Sequence, residues 1–190
     1  MPPIRGVGRI RVALITATVA AFLASVPTVA RSGTYGHGCS PARRAITFYV
    51  SATHQWQERH DAPLSAARHA SQSPGCAYVR WAARRWQARA RQAHREYLAW
   101  FAATYAKWSC VHSHEGSWQD EGLPQMGGLQ FDPGFQSTYG SEFLAAYGDA
   151  GNWPVYAQLL AAERAYHGYH GYARRGFTPW PNTARACGLI

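Results

Sequence analysis

The apolar positions of the chain fall into one long regular stretch and several short ones. From Val79 onward, Ala82 and Ala83, Trp86, Ala90, Ala93, Tyr97, Trp100 and Phe101, Thr104 and Trp108 recur every three or four residues. This is the period of one helix face. No Gly or Pro interrupts the run, so it predicts one helix about 45 Å long at about 1.5 Å per residue. The other faces of that helix carry Arg80, Arg84, Arg85, Arg89, Arg91 and Arg95. A shorter helix is predicted from about Ala45 to His60, stopped by Asp61-Ala62-Pro63. Residues 31–45 read as loose, and residues 62–75, with Pro63, Ser71, Ser73, Pro74 and Gly75, read as a loop.

After Cys110 the pattern changes. Gly and Pro become frequent and the periodic runs shorten. Asp132-Pro133 reads as an N-cap and first turn of a helix through Phe135, Tyr139, Phe143 and Tyr147. Asn152-Trp153-Pro154 opens another, with Val155, Leu159, Ala162 and Tyr166 on one face. The segment Gln125 to Phe131 reads as a short hairpin or extended loop. The expected class is mainly α with a minor β element. The expected layout is a helical region at 31–107 and a small compact domain at 108–190.

The first thirty residues form a separate unit. Arg5, Arg9 and Arg11 precede an apolar run from Val12 to Val26, and Thr28-Val29-Ala30 supplies small residues at a cleavage position. This is the pattern of a signal peptide, and the run is short of the roughly 20 residues of a membrane span. Removing residues 1–30 lowers the formal charge from +9 to +6. A basic exported protein suits an anionic wall polymer or membrane surface. Export argues against nucleic acid as the anion.

The cysteines agree with export. Cys39, Cys76, Cys110 and Cys187 are the four in the chain. An even number in a small exported protein implies disulfides, with three connectivities open. Cys39–Cys76 with Cys110–Cys187 is favoured, because each pair would staple one half of the chain.

Acids are scarce, which makes their positions informative. Of ten in the chain, Glu115, Asp120, Glu121 and Asp132 lie close together. Glu115 falls between the long helix and Gly116-Ser117-Trp118. A carboxyl at a helix end beside an indole is a candidate for the partial desolvation that suits a proton donor. The bland alternative is a surface Glu making a helix-end contact. Likewise the arginine row is either a wall-binding stripe or a solvated helix face. His112, His114 and Glu115, with His167 and His170, could recruit a metal, but no His-Glu-x-x-His is present. No metal or other cofactor is expected. No Gly-x-Ser-x-Gly occurs either, which leaves nucleophilic hydrolase chemistry without a motif.

Three blocks then resemble, in order, the transglycosylase-like or resuscitation-promoting-factor-like lysozyme domain of actinobacteria. Trp108-Ser109-Cys110-Val111-His112-Ser113-His114-Glu115-Gly116-Ser117-Trp118 is similar to that family's Cys/Glu/Gly/Trp catalytic segment. Gly127-Gly128-Leu129-Gln130-Phe131 resembles its Gly-Leu-Gln-Phe element, followed by an aromatic helix ending in Tyr139-Gly140. Trp180-Pro181 to Cys187-Gly188-Leu189 resembles its closing block. The resemblance covers residues 108–190 and implies a small lysozyme-like fold acting on the peptidoglycan glycan strand. It implies Glu115 as general acid, a Cys110–Cys187 disulfide joining the domain ends, and Trp118, Gln130 and Tyr139 as groove-lining groups. In the resuscitation factors the cysteine directly precedes the glutamate, whereas four residues separate Cys110 from Glu115 here. A hydrolase would want a second carboxylate, with Asp132 first and Asp120 and Glu121 next; a lytic transglycosylase needs none. The rival expectation is a non-catalytic wall-binding protein with a lysozyme-like shape.

Overall fold

The computed structural model describes residues 38–67 and 75–190. The expected signal peptide and part of the expected 62–75 loop lie outside these. Residues 38–190 belong to one compact, mainly helical unit.

Helix α1 (Ser40–Glu58) and helix α2 (Cys76–Glu115) pack side by side along much of α1. α1 starts at Ser40 rather than at Ala45. Pro41 falls in its first turn, where a missing N–H leaves nothing unsatisfied. The loose segment expected over 31–45 is therefore helical in its last part. Ile46, Tyr49, Thr53 and Gln57 are the buried positions of α1. They belong to the seam with Val79, Ala82, Trp86, Ala90 and Ala93 of α2. Gln87 donates to the Tyr49 hydroxyl at 3.0 Å, and the Trp56 ring lies 4.3 Å from His94 and 5.2 Å from Tyr97. Cys39–Cys76 ties the two helix starts together.

α2 runs for 40 residues, about 60 Å at about 1.5 Å per residue. It passes without a break through the expected boundary at residue 107 and ends at Gly116. The apolar period explains the extension, because Val111 continues the face that carries Trp108. Both are fully buried in a second core.

That core is built from short helices: α3 (Pro133–Tyr139), α4 (Ser141–Tyr147), α5 (Val155–His167) and α6 (Pro181–Ala186), with a 3-10 turn at Ala150–Asn152. The single helix expected through Phe135 to Tyr147 is two, broken at Gly140. A Cβ on Gly140 would run into the Trp153 ring, so the break and the indole occupy one space. α5 sits at the centre. Ala157, Leu159, Leu160, Ala161, Ala162 and Ala165 are all buried, which leaves it little solvent face. Glu163 of α5 accepts from Trp108 Nε1 at 2.6 Å and from Lys107 Nζ at 2.8 Å, locking α5 to α2.

The β content here is two isolated bridges, Met126–Phe131 and Tyr169–Tyr172, each antiparallel. Where a hairpin or extended loop was expected, residues 126 and 131 form one rung around a tight turn. Gln130 N–H donates to the Gly127 carbonyl at 3.0 Å to close it.

Three buried polar side chains hold these loops. Gln158 accepts from Gly128 N–H at 2.8 Å and donates to the Trp118 and Trp153 carbonyls at 2.8 and 3.1 Å. Gln136 donates to the Phe131 carbonyl and accepts from Ala150 N–H, each at 3.0 Å. Arg164 forms two hydrogen bonds with Asp61, at 2.7 and 2.9 Å, and others with the Tyr139 carbonyl and Glu142. Those partners hold its guanidinium charged against the opposing cost of burial. Among the described residues, no buried side-chain polar atom lacks a partner, as a loop-rich core requires.

Candidate functional site

Glu115 is the last residue of α2, half-buried where the helix stops at Gly116. Its carboxylate accepts a hydrogen bond from the Thr183 hydroxyl of α6. One turn and a half earlier on α2, Cys110 is bonded to Cys187 at the end of α6, with the Cα atoms 5.9 Å apart. The carboxylate and its hydroxyl partner thus sit on two helices joined covalently beside them. Such a brace limits how far a functional group can drift from its working position.

Next to Gly116 lies a second polar pair. Gln130 Nε2 donates to Asp120 Oδ2 at 2.7 Å and to the Gly127 carbonyl at 3.1 Å. A Cβ on Gly116 would lie 3.1 Å from that Asp120 oxygen and 3.2 Å from Gln130 Nε2. The residue following Glu115 therefore has no side chain where the Asp120–Gln130 pair comes closest. The other Asp120 oxygen accepts from Gly122 N–H at 2.9 Å.

Asp132, expected first as a second carboxylate, is also the expected N-cap of α3. Its side chain accepts from Phe135 N–H at 2.7 Å and caps α3, as its position before Pro133 also predicts. Asp120 is the carboxylate that the fold brings beside the Glu115–Gly116 backbone. Glu121 borders Gly151.

The three expected groove residues separate. Gln130 is at the site, with φ at 53° and its amide on Asp120. The Trp118 ring stacks on His112 at 4.0 Å, with Tyr105 at 6.0 Å. His112 Nδ1 donates to the Gly128 carbonyl at 3.0 Å, and a Cβ on Gly128 would run into both rings. Tyr139 is in the core, 3 % exposed, packed on Phe135 and near Tyr172. Buried there, it offers no ring face to a sugar.

Sequence reasoning missed the Thr183 contact and ranked Asp120 below Asp132. Thr183 is 68 residues from Glu115, and no local pattern marks a contact at that range. Trp180 of the same block donates from Nε1 to the Leu129 carbonyl at 2.6 Å.

The metal question narrows to one cluster among the described residues. His114, Cys110 and Cys187 offer ligand atoms within 4.8 Å of one another, but the two sulfurs are bonded to each other and present no thiolate. His167, another of those histidines, pairs with Glu163 at 3.3 Å.

A cavity of about 530 Å³ lies elsewhere, lined by Glu58, Arg59, Asp61, Phe143, Tyr147 and Tyr156 among others. The Arg59 guanidinium sits 4.7 Å from the Trp56 ring centre and 5.1 Å from that of Tyr156. Burial and the neighbouring Tyr147 hydroxyl push the Tyr156 phenol up to about 12, against the opposing pull of Arg59.

Two formed disulfides belong with an oxidising, extracellular setting. Among the described residues, no helix is long and apolar enough to cross a membrane. No known family, no curated protein and no solved structure matches the chain.

Proposed function

We propose that this chain is a secreted enzyme that cleaves the glycan strand of peptidoglycan, with Glu115 as its general acid. The observation that carries the reading is the Glu115 carboxyl at the end of α2, held by Thr183 and braced by Cys110–Cys187. In this reading Glu115 protonates the bridging oxygen of the β-1,4 bond between N-acetylmuramic acid and N-acetylglucosamine. The bond to that oxygen breaks, and positive charge develops at the sugar carbon. Thr183 keeps the carboxyl oriented while its second oxygen remains for the substrate.

Two endings are open to such a site. In a hydrolase a second carboxylate directs water to the sugar carbon, and Asp120 replaces Asp132 as the group proposed for it. In a lytic transglycosylase the sugar's own 6-hydroxyl attacks, giving an anhydro product without a second carboxylate. Mass analysis of released muropeptides separates the two. If hydrolysis is the outcome, Asp120→Asn lowers release about 100-fold, whereas Asp132→Ala acts through loss of an N-cap, about 1 kcal/mol.

Glu115→Gln is the direct test. Release from purified walls is expected to fall by about 100-fold or more; release equal to wild type refutes the enzyme. One observation favours a second reading, a wall-binding protein with no chemistry. The cavity of about 530 Å³ is lined from α1, α4 and α5 and does not include Glu115. Wall binding without any release, in wild type and Glu115→Gln alike, would support that alternative.

A further inference from the structure

The solvent face of α2 carries a feature that neither the core nor the Glu115 site uses. Arg80, Arg84, Arg91 and Arg95 are all exposed. Their spacing of four, seven and four residues keeps them on one strip of the helix, since each step is close to a whole number of turns. The strip extends about 22 Å at about 1.5 Å per residue. None of the four has an ion-pair partner among the described residues. The acids that do pair, Asp61, Glu142 and Glu163, are bound to Arg164, Lys107 and His167. The acid nearest along this stretch of α2, Glu96, accepts from Gln92 at 2.8 Å.

Beside the strip, Arg85 lies 5.7 Å from the exposed Trp81 ring and Arg89 lies 4.8 Å from Trp86. Four aligned, uncompensated guanidinium groups repel one another and destabilise nothing only because water and salt screen them. A solvated helix face has no need to concentrate one sign so completely. Guanidinium groups bind phosphate oxygens in a two-pronged geometry, and four in single file match an anion that is itself a line.

We propose that this strip binds an extended polyanion of repeating phosphate units, laid along α2. A bilayer is the weaker match. The apolar face of α2 is already buried against α1 and the second core, so the helix has no second apolar face to lay among lipids. Its exposed large apolar side chains here are Tyr78, Trp81 and Leu98 alone. The inference is independent of glycan cleavage, because its readout is binding.

The test compares two variants of equal charge loss. Arg84→Gln with Arg91→Gln and Arg95→Gln removes three cations from the strip. Arg174→Gln with Arg175→Gln and Arg185→Gln removes three exposed cations from the other half of the chain. Binding to linear inorganic polyphosphate is measured over a range of salt, with phosphatidylglycerol vesicles as a second arm and circular dichroism confirming helix content. The strip variant is expected to lose about tenfold or more in affinity, and its slope of log affinity against log salt to flatten by about 2. The control variant is expected to stay within about threefold of wild type. Equal losses in both variants would reduce the effect to net charge and overturn the proposal. So would strip-dependent binding to vesicles with none to polyphosphate.

Discussion

The two halves of the molecule are stabilised in different ways. The α1–α2 arm is a periodic seam in which successive turns place Ala, Val, Trp and Tyr in the same stripe. Few of its buried side chains need a particular distant polar partner. The region after residue 107 has short helices joined by loops, and buried polar groups must satisfy those loops one by one. Gln136, Gln158 and Arg164 each bond to backbone carbonyls or amides far away in the chain. A seam tolerates the loss of one contact better than a network in which a single amide satisfies three groups. The Glu115 site sits in the second kind of region, which is where rigid placement is needed.

The two disulfides give the largest expected effect. Cys110→Ala with Cys187→Ala opens a loop with a sequence separation of 77 and should cost about 4 kcal/mol in urea unfolding. Cys39→Ala with Cys76→Ala, with a separation of 37, should cost only about 0.6 kcal/mol less by loop length. A much larger gap would show that the second core depends on its staple beyond chain entropy. The glycan cleavage proposed for Glu115 should be lost only in the first variant.

A matched pair of glutamines sharpens the contrast. Gln158→Ala leaves Gly128 N–H and two carbonyls without partners in a fully buried setting, an expected loss of about 3 kcal/mol. Gln57→Ala in the arm removes two bonds to the half-exposed Ser65, an expected loss of about 1 kcal/mol. Equal losses would break the distinction drawn between the halves. Arg164→Met cuts the tie between them. Asp61 and Glu142 are 39 % and 48 % exposed, so both can return to water, and the expected loss is about 2 kcal/mol.

The smallest expected effect is a pH dependence within the arm. His94 is buried under Trp56, and burial first, then Arg59, lowers its pKa from the ordinary 6.5. Folded protein therefore binds fewer protons at this ring than unfolded protein does. The resulting stability is complete above 6.5 and is lost as pH falls through the depressed folded value. Wild type should lose stability as pH falls below about 6.5, and His94→Gln should lose less over the same fall. Parallel curves for the two proteins would remove His94 as the cause.

Much of the helical layout was legible from local pattern. The stripe from Val79 to Trp108 predicts most of α2, and Asp132-Pro133 and Pro154 mark helix starts the structure has. The break at Gly140 was not legible, because a glycine inside a period costs only about 1 kcal/mol and its meaning depends on where Trp153 lies. The site was legible only in part. Glu115 stands out by the scarcity of acids and by the blocks around it, whereas Trp118 and Tyr139 are aromatic residues whose packing no local pattern reveals.

The sequence by itself determined the long helix, its arginine strip and the short-helix character of the rest, because periodicity and turn residues act within a few positions. It also determined that four cysteines had to find partners. Only the tertiary structure decided that Thr183 holds Glu115, that Gln130 bonds to Asp120 beside Gly116, and that Tyr139 is core. Those assignments depend on contacts between residues ten or more positions apart. Such contacts follow from how whole helices pack, and no short stretch of chain encodes them alone.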